Sequence, residues 1–133
     1  MNRMRLATSL DADTEALVHR VIGCAIAVHR ELGPGLLERI YVRALARELS
    51  HAQMQFETER DYPIIYRGEF LCRQRVDLVV QNRVLLEIKA VERLAPVHYA
   101  QTMSYLRVSK LRVALLMNFN AETLPAGLRR ILL

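Results

Sequence analysis

The chain lacks most of the features that mark a membrane, secreted or cofactor-loop protein. No run approaches the ~20 consecutive apolar residues that a membrane span needs, so no membrane association is expected. The opening "MNRMRLATSLDADTEAL" has no signal-type hydrophobic block, and the expected location is the cytoplasm. Cysteine is scarce. Cys24 and Cys72 form no C-x-x-C pair and lie in segments that read as a buried helix and a strand, so both are expected to be reduced, inert core thiols. "GPGLLERIY" has neither the glycine spacing nor the Lys-Ser/Thr ending of a phosphate-cradling loop, and no G-x-S-x-G elbow occurs. Repeats, low-complexity tracts and linkers are absent too. Lysine is nearly missing, with two Lys against 17 Arg. Lys89 is therefore a marked choice, since Lys is the compact cation whose pKa can be tuned.

What is present fits one globular domain over 1–133, with 1–12 expected to be a loosely ordered N-terminal segment. At 133 residues, 52% apolar and 25% charged, the chain can bury roughly two thirds of its unfolded surface around a single core. A net charge of +5 and a pI near 9.7 suit a polyanionic partner such as nucleic acid.

Apolar residues at helical spacing over 14–32 follow an Asp11/Asp13 capping region, and "GPG" at 33–35 ends that helix and opens a second over 36–50. An extended segment over about 55–66, a turn at Arg67-Gly68 and a strand to about Val80 come next. A "QNR" turn leads to a strand over about 84–91. Pro96 starts a helix to about Val108, "LRVALLMNF" reads as a fourth strand, and "AGLRRILL" reads as a short closing amphipathic helix. The order α-α-β-β-β-α-β-α implies an α/β domain with a mixed four-stranded sheet flanked by helices.

Into two otherwise apolar strands the stretch "RVDLVVQNRVLLEIKAV" (75–91) inserts Asp77, Glu87 and Lys89. A charge among Val, Leu and Ile is expensive unless it is paired, metal-bound or wet. Glu87 and Lys89, two apart, share a strand face. A three-residue turn that pairs Val80 with Val84 sets Asp77 opposite Glu87, with Cβ atoms ~4.5–5.5 Å apart, whereas a two-residue turn puts residue 86 or 88 there instead. Two such carboxylates call for a cation between them, and Mg²⁺, a hard ion with oxygen ligands, suits the place. The plainer alternative is an Asp–Lys or Glu–Lys pair at a sheet edge.

On the second helix Arg39, Arg43 and Arg47 form one polar stripe, which reads as a solvated face. Glu38 falls opposite, between Leu45 and Leu49, as a carboxylate on a core-facing surface. It also sits in the first turn, where the helix dipole favours an anion and capping alone would explain it. On the third helix Tyr99, Ala100, Met103 and Leu106 form the apolar face, and His98, Gln101 and Tyr105 lie roughly opposite as an ordinary solvated face. His98 has no second His or Cys at a ligand spacing.

Together these pieces resemble the PD-(D/E)XK nuclease superfamily. More closely, "GLLERIY" at 35–41 is similar to the small bacterial group named for its GxxExxY motif, with Gly35, Glu38 and Tyr41 in register. "VDLVV…LLEIKAV", "LAPVHYAQTMSYL" and "LLMNFN" look like that group as well, so the likeness runs from about residue 14 to the end. It implies a restriction-endonuclease-like core in which Asp77, Glu87 and the Ile88 carbonyl hold Mg²⁺, with Mn²⁺ as a substitute. Lys89 would orient or activate the attacking water, or stabilise charge on the phosphate. Glu38 would complete or support the metal site, and Gln101 and Tyr105 match a Q-x-x-x-Y element beside the active site. One departure is that Val76, not Pro, precedes Asp77.

The resemblance thus implies a Mg²⁺-dependent nuclease acting on DNA or RNA, with a protein partner or a second copy of the chain supplying specificity. The competing expectation is a non-catalytic regulatory module that keeps the fold and binds nucleic acid or protein.

Overall fold

The computed structural model describes residues 10–133. Of the N-terminal segment expected to be loose, 1–9 lie outside the described residues. Residue 12 already begins the first helix, and Asp11 caps it, its carboxylate accepting from the Thr14 N–H at 2.7 Å. This helix, α1 (Ala12–Leu32), stops where Gly33, at φ +68°, donates its N–H back to the His29 carbonyl. The elements that follow are α2 (Glu38–His51), β1 (Phe56–Tyr66), β2 (Glu69–Val80), β3 (Val84–Lys89), α3 (Pro96–Ser109) and β4 (Val113–Asn118). A 3₁₀ turn at Pro125–Gly127 then leads into β5 (Leu128–Leu132).

The expected α/β sandwich is therefore present, with one correction. The sheet has five strands in the order β1-β2-β3-β4-β5, and "AGLRRILL" supplies the fifth strand rather than a closing helix. β5 runs antiparallel to β4 and covers an edge that would otherwise leave its N–H and C=O groups unpaired. "LRRIL" fits either period. Its strand face sets Leu128 and Leu132 against the core under α1 and α2, and Ile131 against the cluster under α3. Arg130, between them, pairs with Glu15 on α1.

β3 and β4 are parallel and are joined by α3 as the crossover; the other pairings are antiparallel. α1 and α2 pack on one face of the sheet, where Val21, Ala25, Tyr41, Leu45 and Leu49 meet Leu78, Leu86, Ile88 and Leu115. On the other face Leu106 of α3 covers Val79, Leu85 and Ala114. Residues 84–88 and 113–118 are buried throughout, as strands covered on both faces must be. Among the described residues no helix is long and apolar enough to cross a membrane. Cys24 is a buried free thiol as expected, but Cys72 is exposed, because the outer half of the β1–β2 hairpin extends past the layers that cover the sheet.

Candidate active site

The turn between β2 and β3 fixes the site. Gln81 and Asn82 both take positive φ, and Arg83 donates its N–H to the Val80 carbonyl. Val80 pairs with Val84 and Leu78 with Leu86, the register in which Asp77 comes opposite Glu87. The β2–β3 ladder ends at that point. The Asp77 carboxylate takes the place of a backbone acceptor and receives the Ile88 N–H at 2.8 Å. Leu85 packs under α3, so Glu87 and Lys89, which share its face, also turn toward α3.

Glu87 is buried, at 6% exposure, and its Oε1 has no hydrogen-bond partner among the described residues. Its other oxygen lies 3.6 Å from the Lys89 ammonium. Burial foremost, then the Asp77 charge, pushes the Glu87 carboxyl up to about 8, with Glu38 adding to the rise and Lys89 opposing it. Asp77 is raised chiefly by burial; the Ile88 N–H and Lys89 pull it down, while the Glu59 charge pushes it up further. Glu38 is raised too, by burial and then by Asp77, against Lys89. Three carboxyls that each feel a second acid make a locus of unrelieved negative potential, and one ammonium only partly offsets it.

Lys89 also donates to the Gln101 side-chain oxygen at 3.3 Å. The Tyr105 hydroxyl is held above its ordinary value by burial, then by Glu87 and Asp77. The polar side of α3 is therefore not a solvated face. His98, Gln101 and Tyr105 are half-buried beside the buried Thr102 and Leu106, while Ala100, expected on the apolar face, is exposed. A charged sheet face is better covered by groups that can hydrogen-bond to it. His98 has a local task, since its Nδ1 accepts the Ala95 N–H at 2.9 Å and caps α3.

Glu38 differs from the core-facing position expected of it. It lies on the same side of α2 as Tyr41, Leu45 and Leu49, but one turn beyond the core, and is exposed. The loop before it is shaped by Gly35 at φ +105° and pinned by Tyr41, whose hydroxyl donates to the Gly33 carbonyl (2.6 Å) and accepts from the Leu36 N–H (3.0 Å). Tyr41 is fully buried and stacks on Phe119 at 4.8 Å. Gly35 and Tyr41 thus fix where α2 begins and, with it, where Glu38 stands. Arg39, Arg43 and Arg47 are all exposed, as expected.

Two participants escaped the sequence reading. Asn118, paired with Lys89 across the parallel ladder, clamps the loop after β3 by accepting the Val91 N–H (3.0 Å) and donating to the Val91 carbonyl (2.9 Å). Its place in "LLMNFN" gave a signal, a lone amide at the end of an apolar strand. Glu59 sits where β1 passes Asp77, at φ +53° and outside the β1–β2 pairing; nothing in the sequence marks it.

A cation fits the donor set by chemistry: a buried carboxylate oxygen without a partner and a second carboxylate that raises it. Among the described residues, however, no three His, Cys, Asp or Glu side chains stand together as a metal-holding group. A cavity of about 700 Å³, lined by Met54, Phe56, Val79 and Arg83 among others, lies near the 81–83 turn, toward the opposite end of β2 and β3 from these acids.

A mixed sheet between helices, with two acids and a lysine where its central strands part, is consistent with a restriction-endonuclease-like fold. The family model of the PD-(D/E)XK nuclease superfamily matches residues 15–131, and the chain belongs to that superfamily. Membership suggests nuclease activity and nucleic-acid binding, and nucleases of the superfamily generally use divalent metals such as Mg²⁺. No curated protein and no solved structure gave a match.

Proposed function

We propose that this chain is a Mg²⁺-dependent nuclease, with Mn²⁺ as an alternative ion, that hydrolyses phosphodiester bonds of DNA or RNA and belongs to the GxxExxY group. The observation that carries the reading is the Asp77–Glu87 pair beside Lys89, in which the buried Glu87 keeps an oxygen without a partner among the described residues and is raised by burial and by the Asp77 charge. Asp77 and Glu87 would hold the ion, together with the Ile88 carbonyl, which lies on the same strand edge as the N–H given to Asp77. Glu38 supports the ion through its charge. When bound, the ion activates water and neutralises charge on the phosphoryl group.

The chain's own groups do the rest. Lys89 is held between Glu87 and Gln101, so its ammonium orients the attacking water and stabilises charge developing on the phosphate. Gln101 fixes the lysine, and the Tyr105 hydroxyl, kept protonated, remains a donor toward the same face. Sequence specificity would come from a protein partner or a second copy of the chain. The test is cleavage of single- and double-stranded DNA and RNA with Mg²⁺ or Mn²⁺. Lys89→Ala and Asp77→Asn are expected to reduce it at least a hundredfold, and equal activity in both variants would mean that the cleavage is not this protein's.

The second reading is a non-catalytic nucleic-acid- or protein-binding module that keeps the nuclease fold. That reading predicts nucleic-acid or protein binding that ignores both Mg²⁺ and these substitutions.

A further inference from the structure

β2 is far longer than the strand it serves. Only Leu78–Val80 pair with β3, while β1 pairs with β2 from Phe56–Val80 out to Tyr66–Glu69. At ~3.3 Å per residue, the unshared part of β2 from Glu69 to Asp77 reaches roughly 30 Å. It forms a two-stranded arm that starts at Asp77, and from Pro63 to Arg73 every residue except Ile64 is exposed. Such a ribbon is only marginally stable alone, yet it shows Ile65, Tyr66, Phe70 and Leu71 at 55–60% exposure each. Large apolar groups gathered on an unpartnered element mark an interaction surface.

Charge and chemistry say what covers it. Arg67 at the tip and Arg73, whose guanidinium lies 5.8 Å from the Phe70 ring centre, have no carboxylate partner among the described ion pairs. Arg75, nearer the site, is the one occupied by Glu59 and Asp61. Ile65 pairs with Phe70 and Pro63 with Arg73, so Phe70 and Arg73 share one face of the arm, while Tyr66, paired with Glu69, lies on the other. An exposed ring with an unpaired arginine beside it forms a stacking site for a base and a counter-charge for a phosphate. A second copy of this basic chain would be repelled where a polyanion is attracted. Continuity along β2 also leads from the platform to Asp77.

We propose that the β1–β2 arm binds an unpaired nucleic-acid strand along its Phe70 face, stacking a base on Phe70 with Arg73 beside it and Arg67 at the tip on the backbone, and feeds it toward the Asp77–Glu87 site. The inference deepens the nuclease reading and rests on it for the direction of the strand, but the arm can be tested without cleavage. Fluorescence anisotropy with a 20-nucleotide labelled oligothymidylate and a duplex of equal length is measured on the Asp77→Asn protein, with and without Tyr66→Ala and Phe70→Ala. Phe70 is expected to be worth roughly tenfold in single-strand affinity and less on the duplex, and Tyr66, on the reverse face, less than Phe70. Because binding is read on the Asp77→Asn protein, it is measured even if no cleavage is ever observed, which separates failure of the arm from failure of the catalytic reading. Unchanged single-strand affinity in the double variant, no oligonucleotide binding by the parent, or equal losses on both substrates would overturn the proposal. So would a dimer that the substitutions dissociate while oligonucleotide affinity holds, which would give the arm to a second copy. Arg67→Glu, at the exposed tip, serves as the variant that cannot disturb the core and should weaken binding at least tenfold.

Discussion

Replacing Glu87 by Gln removes the charge that the site without metal accommodates least well, and the pH dependence of folding should register it. The Glu87 carboxyl moves from an ordinary 4.5 to about 8 in the folded chain. The native state therefore keeps a proton that the unfolded chain has released near 4.5. Between those two values the folded chain binds more protons than the unfolded one, so stability falls as pH rises through the window. At ~1.36 kcal/mol per pKa unit the interval sets a ceiling of about 5 kcal/mol, reached above pH 8. Asp77 is raised as well, chiefly by burial and further by the Glu59 charge, and water entering the opened site softens both effects. A loss of about 2–4 kcal/mol between pH 5 and pH 8.5 is the expectation once those effects are taken off the ceiling. Urea unfolding in EDTA at the two pH values measures it. Glu87→Gln should flatten most of the slope and be more stable than the parent at pH 8.5, and Mg²⁺ should restore stability to the parent only. Parallel pH profiles for the two proteins, or a variant less stable than the parent at pH 8.5, would refute the reasoning.

Other consequences are more local. Tyr41→Phe keeps the ring stacked on Phe119 but leaves the Gly33 carbonyl and the Leu36 N–H without their shared hydroxyl. It should lower stability by about 1–3 kcal/mol in urea unfolding, and cleavage should fall further than Glu38-independent binding does, because the start of α2 is freed. Gly127→Ala would set a Cβ 2.5 Å from the Asn118 carbonyl oxygen and 2.8 Å from Ala121 Cβ. Since those neighbours are backbone and a short side chain, thermal unfolding should show a loss of about 1–3 kcal/mol or more.

Much of the core was legible because its apolar runs are long and punctuated by Gly, Pro and the 81–83 turn. The sequence left two turn lengths open at 81–83, and the structure's Val80–Val84 pairing selects the one in which Asp77 meets Glu87. What stayed hidden depends on contacts distant in sequence. "LRRIL" satisfies helical and strand periods alike, and only the free edge of β4 decides between them. Met103 and Leu106 of α3 pack on the sheet as expected, but Gln101 and Tyr105 read as solvent-seeking because nothing in the sequence says that the sheet below them is charged. Glu38 reads as core-facing by angle alone, and it does share the side of Tyr41, Leu45 and Leu49, but one turn beyond the end of the core. Cys72 was assigned to a buried strand because a period-two pattern does not tell how far a hairpin extends beyond its cover. Glu59 enters the site only through the irregular backbone beside Asp77.

The central claim is that Asp77 and Glu87 together bind a divalent cation, and calorimetric titration of Mg²⁺ and Mn²⁺ into the protein at pH 7.5 tests it most directly. The account predicts saturable binding with proton release, seen as a heat that varies with the buffer's ionisation enthalpy, because the raised Glu87 carboxyl must give up its proton to the ion. Asp77→Asn and Glu87→Gln should each abolish that binding. Absence of binding in the parent, or binding that survives both substitutions, would contradict it.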